Sequence, residues 1–140
     1  MSRIWIGRLT FLVLALACLP VGLLAKRGGG DAPPWIANHL GGAIYVMCGT
    51  FFIMTIIPRF SPVAITIAVL LMTCGVEALQ LWDHPALEDA RSTRLGGLVL
   101  GHQFSWSDFP YYVGGAVVAW IIAALVSNML RLHRPHRSAE

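Results

Sequence analysis

Four long apolar stretches follow one another along the 140-residue chain, separated by shorter polar segments. They cover residues 9–25, 40–57, 62–82 and 111–130, and each is 17 to 21 residues long. About 20 helical residues, with a rise of about 1.5 Å each, cross a hydrocarbon core of about 30 Å. The pattern therefore predicts an all-α integral membrane protein, a four-helix bundle that forms a single transmembrane domain over residues 1–140.

The composition excludes a soluble domain of this size. Hydrophobic residues make up 56% of the chain, charged residues make up only 12%, and the mean hydropathy is +0.68. A chain with so few charged side chains cannot cover its apolar surface with polar groups in water. The composition thus supports the prediction of a membrane protein.

The first apolar stretch also resembles a cleavable signal peptide. Arg3 and Arg8 precede it, and small residues at Ala15 and Ala17 are typical of a cleavage site. However, the apolar run continues beyond these alanines to Leu24. We therefore expect a retained membrane span rather than a cleaved peptide.

The basic residues predict the orientation of the four spans. One side of the membrane receives six of them, namely Arg3, Arg8, Arg59, Arg131, Arg134 and Arg137. The other side receives four, namely Lys26, Arg27, Arg91 and Arg94. The positive-inside rule then places both termini in the cytoplasm. We expect a multi-pass protein of the bacterial cytoplasmic (inner) membrane.

Glu77 is the one acidic residue within the four apolar stretches. An ionisable group inside a membrane span costs about 2.5 to 3.5 kcal/mol on insertion scales, so it usually faces protein and has a partner. Thr66, Thr73, Glu77 and Gln80 recur at helical spacing, which places them on one side of the third helix. The spacing predicts a buried polar stripe.

The segment between the third and fourth spans, residues 83–108, is long for so small a protein. Unstructured loops of that length are usually either functional or wrongly assigned as loops. Within it, residues 95–101 are apolar but too few to cross a bilayer, so they form either a re-entrant or an interfacial segment. Ser107 or Asp108 is the expected N-cap of the fourth helix, with Pro110 in its first turn.

Small residues recur at a spacing of four on one face of the fourth helix, at Gly115, Ala119 and Ala123. In the second helix, Gly42 and Gly49 lie seven residues apart. Small residues in such a series allow helix backbones to approach closely. We expect these helices to pack tightly at the glycines.

Several polar residues, in their order along the chain, resemble the motifs of a known membrane protein family. They lie in the segments Cys74–Gln80, Arg91–Gly96, Leu100–Asp108 and Tyr112–Gly115. Residues 25–124 resemble the bacterial membrane family called domain of unknown function 2809. More distantly, the chain is similar to VanZ-like proteins, whose motif also contains Glu-x-x-Gln, Arg, Asp and Gly in that order. The resemblance implies a helical fold and a polar site formed by Glu77, Gln80, Arg94 and Asp108, with Arg91 as a second basic candidate.

Three interpretations of this polar cluster stay open. In the first, Glu77 pairs with Arg94 or Arg91 and Asp108 caps the fourth helix, so the cluster only holds the long loop against the bundle. In the second, the arginines bind the phosphate of an anionic lipid head group or another anionic envelope component, and the carboxylates orient them. In the third, the chain is a small ion-coupled transporter that uses Glu77.

Other function classes find no support in the sequence. The candidate metal ligands do not have the spacing of a metal site, so we predict no metal and no cofactor; they are His39, His84, His102, Glu88 and Asp89. No catalytic motif is present, and we do not expect an enzyme. The basic residues 131–137 follow a span directly, which favours binding to anionic membrane lipids over binding to nucleic acid.

Overall fold

The computed structural model describes the backbone of residues 2–27, 34–82, 84–100 and 104–130, and the side chains in these ranges except at 25–27, 34–38 and 98–100. These residues form helices and turns, and they contain no strand. The six helices are α1 (Arg3–Arg27), α2 (Pro34–Ile56), α3 (Pro62–Leu79), α4 (Pro85–Ser92), α5 (Arg94–Leu100) and α6 (Asp108–Met129). The predicted all-α fold is confirmed.

Four of these helices are long and apolar enough to cross a membrane, and their spans are Arg3–Leu24, His39–Ile56, Pro62–Leu79 and Asp108–Met129. This result confirms a bundle of four helices of membrane-spanning length and supports the assignment to multi-pass membrane proteins. The first span begins at Arg3 rather than at residue 9. The third span ends at Leu79 rather than at residue 82. There the chain leaves the α-helix through a tight turn, in which the amides of Gln80, Leu81 and Trp82 donate to carbonyls three residues back.

Helix α2 lies at the centre of the bundle. It packs against α1, α3 and α6, while α6 also packs against α3, and α1 shares no contact with α3. The turn between α2 and α3 is tight, and the Phe60 amide donates to the Ile57 carbonyl. Helix α2 therefore lies between α1 and α3, and a groove runs between these two helices over the surface of α2.

The predicted close approach at the glycines is confirmed for α2 and α6. The ring of Tyr112 lies against Gly42, and the backbone of Ala43 lies against Gly115. A β-carbon at either glycine would overlap these atoms, so the contact requires glycine at both positions. Gly49 lies against Val69 of α3, where an added β-carbon would be 3.1 Å from Cγ1.

The predicted polar stripe on α3 is buried. Thr66, Thr73 and Glu77 are each less than 9% exposed. The hydroxyl of Thr66 donates to the Pro62 carbonyl at 2.8 Å, and that of Thr73 donates to the Val69 carbonyl at 2.9 Å. The threonines therefore satisfy their hydroxyls within the helix, whereas Glu77 has no such option and depends on other elements.

The long segment between the third and fourth spans is not an unstructured loop, because α4 and α5 occupy most of residues 83–108. His84 caps α4 by accepting from the Ala86 amide at 3.2 Å, and Pro85 occupies the first turn. Thr93 separates the two helices and accepts from the Gly96 amide at 3.0 Å. The apolar segment 95–101 lies mostly within α5, which is seven residues long and contacts α3 and α4.

The two ends of the bundle differ in charge. We call one end the carboxylate end, because it carries every acidic residue that the structure describes, namely Glu77, Glu88, Asp89 and Asp108. Arg91 and Arg94 also lie at this end. We call the other the arginine end, where α1 begins and α2 turns into α3; it carries Arg3, Arg8 and Arg59.

Candidate functional site

Glu77 lies in the last turn of α3 and is 4% exposed. Its Oε2 accepts a hydrogen bond from the Tyr112 hydroxyl at 2.7 Å and a longer one from Gln80 Nε2 at 3.3 Å. Its Oε1 accepts from the Ser105 amide at 3.0 Å. Both carboxylate oxygens are therefore bonded to donors, which is the arrangement that stabilises a negative charge away from water.

Tyr112 reaches Glu77 because of the glycine on the neighbouring helix. The tyrosine lies near the start of α6 and is 7% exposed. Its ring fills the space beside Gly42 of α2, where a larger residue would displace it. The hydroxyl then points to α3, so one side chain connects three helices.

A cluster of aromatic rings positions the backbone that carries the Ser105 amide. Phe104 lies 5.0 Å from Trp106 and 6.1 Å from Phe109 between ring centroids. Phe109 in turn lies 6.0 Å from Tyr112. Aromatic pairs at these distances stabilise each other. The cluster therefore holds residues 104–109 against the bundle, with the Ser105 amide directed to Glu77.

Asp108 has a partner that the sequence did not indicate. Its Oδ1 lies 2.7 Å from His39 Nδ1, and the His39 ring stacks on Tyr111 with 4.8 Å between centroids. Ser107 occupies the N-cap position of α6 without a side-chain hydrogen bond. The predicted capping role of Asp108 is therefore wrong. Its carboxylate joins α6 to α2 instead.

The predicted ion pair between Glu77 and Arg94 or Arg91 is also wrong. Among the residues that the structure describes, no carboxylate lies within 4.0 Å of either arginine. Neutral donors already occupy both oxygens of Glu77. The Arg91 Nη2 donates instead to the Leu79 carbonyl at 2.8 Å, at the C-terminal end of α3, where a positive charge is favourable.

Two polar atoms near this point are buried without a hydrogen bond to any described residue. They are the Nε of Arg91 and the Oε1 of Gln80. Arg94 is exposed and makes no hydrogen bond within the described part of the chain. The structure thus brings Glu77 and Gln80 together, places Arg91 against the end of α3 and Asp108 with His39, and leaves Arg94 at the surface.

The site contains residues that the sequence reasoning missed. Tyr112 lies in the motif Tyr112–Gly115, but the sequence gives no sign that its hydroxyl reaches Glu77, because this contact depends on the packing of its ring beside Gly42. The Ser105 amide offered no signal, because every residue except proline carries a backbone donor. His39 was considered only as a candidate metal ligand. No three His, Cys, Asp or Glu side chains converge on a common point within the described ranges, and His102 lies outside them.

Comparison with known proteins identifies a family for this chain, but that family has no known function. The model of a family described as protein of unknown function (DUF2809) matches residues 32–116. The matched range includes α2 to α5 and the first residues of α6, so it contains Glu77 and all its hydrogen-bond donors. No solved structure matches the chain.

Proposed function

The chain belongs to this family of unknown function, and we propose that it is a non-catalytic membrane protein that binds the anionic head group of a lipid or another anionic envelope component at the carboxylate end. Arg91 and Arg94 donate to the phosphate or equivalent group. Glu77 and Asp108 hold the surrounding elements in place. The similarity to VanZ-like proteins stays a prediction from the order of the motif, and the family supplies no substrate.

One observation carries the proposal: neither arginine is neutralised by a described carboxylate within 4.0 Å. Arg91 uses Nη2 for the Leu79 carbonyl, while its Nε is buried and unpaired among the described residues. A buried donor without a partner is costly, at about 1 to 3 kcal/mol. The Nη1 of Arg91 makes no hydrogen bond to a described residue and is not among the buried atoms, so an anion can accept a hydrogen bond from it.

The position of the two arginines supports a head-group ligand. Trp82 and Trp106, at the same end of the bundle, are 60% and 76% exposed. Exposed tryptophans concentrate at the level of the lipid head groups in membrane proteins. Arg91 lies in the last turn of α4 and Arg94 is the first residue of α5, so both arginines belong to elements beside this aromatic level.

The proposed anion binding depends on the hydrogen-bonding geometry of arginine rather than on net charge. Glu88 and Asp89 are exposed on α4, so the carboxylate end does not attract anions by charge alone. The planar fork of arginine matches a phosphate or carboxylate with two parallel hydrogen bonds, which lysine cannot provide. The proposal therefore depends on the arginine side chain itself.

The bonding of Glu77 supports a structural role for that residue. Its two oxygens hold Tyr112 of α6 and the segment before α6. The transporter alternative requires a carboxylate that ions can reach, and Glu77 is 4% exposed with both oxygens bonded. The geometry favours an anchor over a coupling carboxylate.

For orientation, we propose that the arginine end faces the cytoplasm and the carboxylate end faces outward, in a bacterial inner membrane. The basic residues at the arginine end support this orientation. Accessibility labelling of single cysteines at positions 92 and 138, in a background without the native cysteines, is expected to place them on opposite sides. Labelling from the same side contradicts the orientation.

The head-group proposal is tested by Arg91→Lys and Arg94→Lys. Native mass spectrometry of protein purified with phosphatidylglycerol counts the retained lipids, and thermal unfolding is measured on the same samples. We expect each variant to stay folded and to retain less lipid than the wild type, because lysine keeps the charge and loses the fork.

Arg59→Lys is the matched control, since Arg59 is an exposed arginine at the opposite end. We expect Arg59→Lys to retain as much phosphatidylglycerol as the wild type. If Arg91→Lys and Arg94→Lys lower the unfolding temperature but leave lipid retention at the wild-type level, the arginines only pin α4 and α5, and the proposal is wrong.

A further inference from the structure

Arg8 at the arginine end is held next to an opening between α1 and α2. Its Nη2 donates to the Ile56 carbonyl at 3.3 Å, and its guanidinium carbon lies 5.5 Å from the centre of the Trp5 ring. Its Nε is buried and makes no hydrogen bond to a described residue. The adjoining cavity has a volume of about 390 Å³ and is lined by Trp5, Arg8, Leu9, Leu12, Thr55 and Ile56.

This cavity continues into a larger apolar groove. A second cavity of about 530 Å³ shares Leu12 with the first and follows α1 through Ala15, Leu16 and Leu19. On α1 these residues recur at intervals of three and four from Arg8, so they form one face of the helix. On α2 the same groove is lined by Phe52, Gly49, Cys48 and Tyr45. The two cavities thus adjoin at Leu12 and together extend along α1 from Arg8 to Leu19.

We propose that these two cavities bind one anionic phospholipid, with its phosphate on Arg8 and one acyl chain along the groove. The site is separate from Arg91 and Arg94, and the inference does not depend on the proposed function. The lipid comes from the leaflet in which α1 begins.

The length of the groove fits one leaflet. From Arg8 to Leu19 the helix rises by eleven residues, which corresponds to about 16 Å. Half of a hydrocarbon core of about 30 Å is about 15 Å. An acyl chain that starts at the head-group level beside Arg8 therefore ends near Leu19. A soluble anion without a chain would leave this groove empty.

The distribution of charged residues also favours a lipid with an anionic head group. Every acidic residue that the structure describes lies at the carboxylate end, whereas Arg3, Arg8 and Arg59 lie at the arginine end. Trp5 is 62% exposed beside Arg8, as expected of a tryptophan at head-group level. A negatively charged head group thus meets arginines without a described carboxylate nearby. The Nη1 of Arg8 offers it a donor, because this atom is not buried and makes no hydrogen bond to a described residue.

The experiment measures lipid retention by native mass spectrometry, using protein in detergent with either phosphatidylglycerol or phosphatidylcholine. The protein carries Arg91→Lys and Arg94→Lys, so that lipid at the carboxylate end is not counted. In this background we expect Arg8→Gln to lower retention of phosphatidylglycerol about tenfold, since one charge-assisted hydrogen bond is lost. Arg59→Gln is the control, because it removes an exposed arginine from the same end. We expect it to have little effect. Equal losses in Arg8→Gln and Arg59→Gln would show nonspecific attraction and overturn the proposal.

A second pair of variants tests the groove without touching Arg8. Leu16 lines the groove and is 54% exposed, whereas Leu24 is also on α1, is 67% exposed and lies outside it. Leu16→Trp fills the groove, so it is expected to lower retention, and Leu24→Trp is expected to leave retention at the wild-type level. Equal lipid retention in the two tryptophan variants overturns the placement of the lipid acyl chain in this groove.

Two further measurements distinguish a bound lipid from other occupants of the groove. Glycerol phosphate has the head group without chains, and we expect it to give no thermal stabilisation at concentrations where phosphatidylglycerol does. Equal stabilisation by both would mean a phosphate site and overturn the lipid. If the mass spectrum shows a protein dimer that disappears in Leu16→Trp, the groove binds a second copy of this protein, and the lipid proposal is overturned. The Arg91→Lys and Arg94→Lys variants are expected to keep the lipid on Arg8, so the two proposals fail separately.

Discussion

The carboxylate end and the arginine end place a charged side chain beside apolar helices in two different ways. Glu77 is 4% exposed, and both of its oxygens accept hydrogen bonds from donors within the chain. Arg8 is only partly buried, makes one hydrogen bond at 3.3 Å, and lies beside a cavity of about 390 Å³. The fold supplies hydrogen-bond partners to both oxygens of Glu77, whereas the described residues bond only one nitrogen of the Arg8 guanidinium.

This difference separates polar residues whose hydrogen bonds are complete within the fold from those that can accept a further partner. A buried group that is fully hydrogen-bonded is expensive to remove, because its partners lose their acceptor. A partly bonded group next to an open cavity costs less to remove, and a ligand can complete its hydrogen bonding. Arg91 shares features of both, since it anchors α4 through Nη2 and keeps Nε unpaired among the described residues.

The largest expected effect is that of Glu77→Ala on stability. The substitution leaves the Tyr112 hydroxyl and the Ser105 amide without an acceptor and also creates a cavity. We expect the free energy of unfolding to fall by about 3 kcal/mol or more. The measurement is unfolding in detergent, followed by circular dichroism. Glu88→Ala is the control, because Glu88 is exposed, and it should change stability by less than about 0.5 kcal/mol. Similar losses in both variants would contradict the anchor role.

A smaller loss is expected for Tyr112→Phe. It removes a hydrogen bond to the Glu77 carboxylate and keeps the ring beside Gly42, so we expect a loss of about 1.5 to 3 kcal/mol. Tyr111→Phe is the matched control, since the Tyr111 hydroxyl makes no hydrogen bond within the described ranges. Its ring continues to stack on His39.

Double-mutant cycles sharpen this prediction. Glu77→Gln combined with Tyr112→Phe should show a coupling energy of about 1 kcal/mol, because the two side chains share a hydrogen bond. Glu77→Gln combined with Arg94→Gln should be additive within about 0.5 kcal/mol, because the two do not form an ion pair. Coupling of Glu77 to Arg94 rather than to Tyr112 would contradict the described site.

The spans and the buried face of α3 were predictable because they follow from periodic patterns. Apolar runs of about 20 residues identify membrane helices by length, and the spacing of Thr66, Thr73 and Glu77 identifies one helix face. Neither signal depends on tertiary structure. Helices α4 and α5 were missed because eight and seven residues are too few for a periodic pattern. Their caps at His84 and Thr93 were the remaining signals.

The partners of Glu77 were not predictable in the same way. Opposite charge suggested Arg94 or Arg91, but charge does not determine which side chains the fold brings together. Tyr112 is 35 residues from Glu77 in the chain, and Asp108 is 69 residues from His39. Such contacts depend on how α2, α3 and α6 pack, and in particular on Gly42, which admits the Tyr112 ring.

The smallest expected effect is that of Arg8→Gln on stability in detergent without added lipid. The hydrogen bond from Arg8 to the Ile56 carbonyl is exposed and long, so its removal should cost about 0.5 to 1 kcal/mol. Added phosphatidylglycerol should then stabilise the wild type more than the variant, because only a ligand that binds the folded state raises stability. Unfolding is followed as for Glu77→Ala, with Arg59→Gln as the control. A loss without lipid as large as that of Glu77→Ala would mean that Arg8 is a structural anchor too, and the two ends would no longer differ.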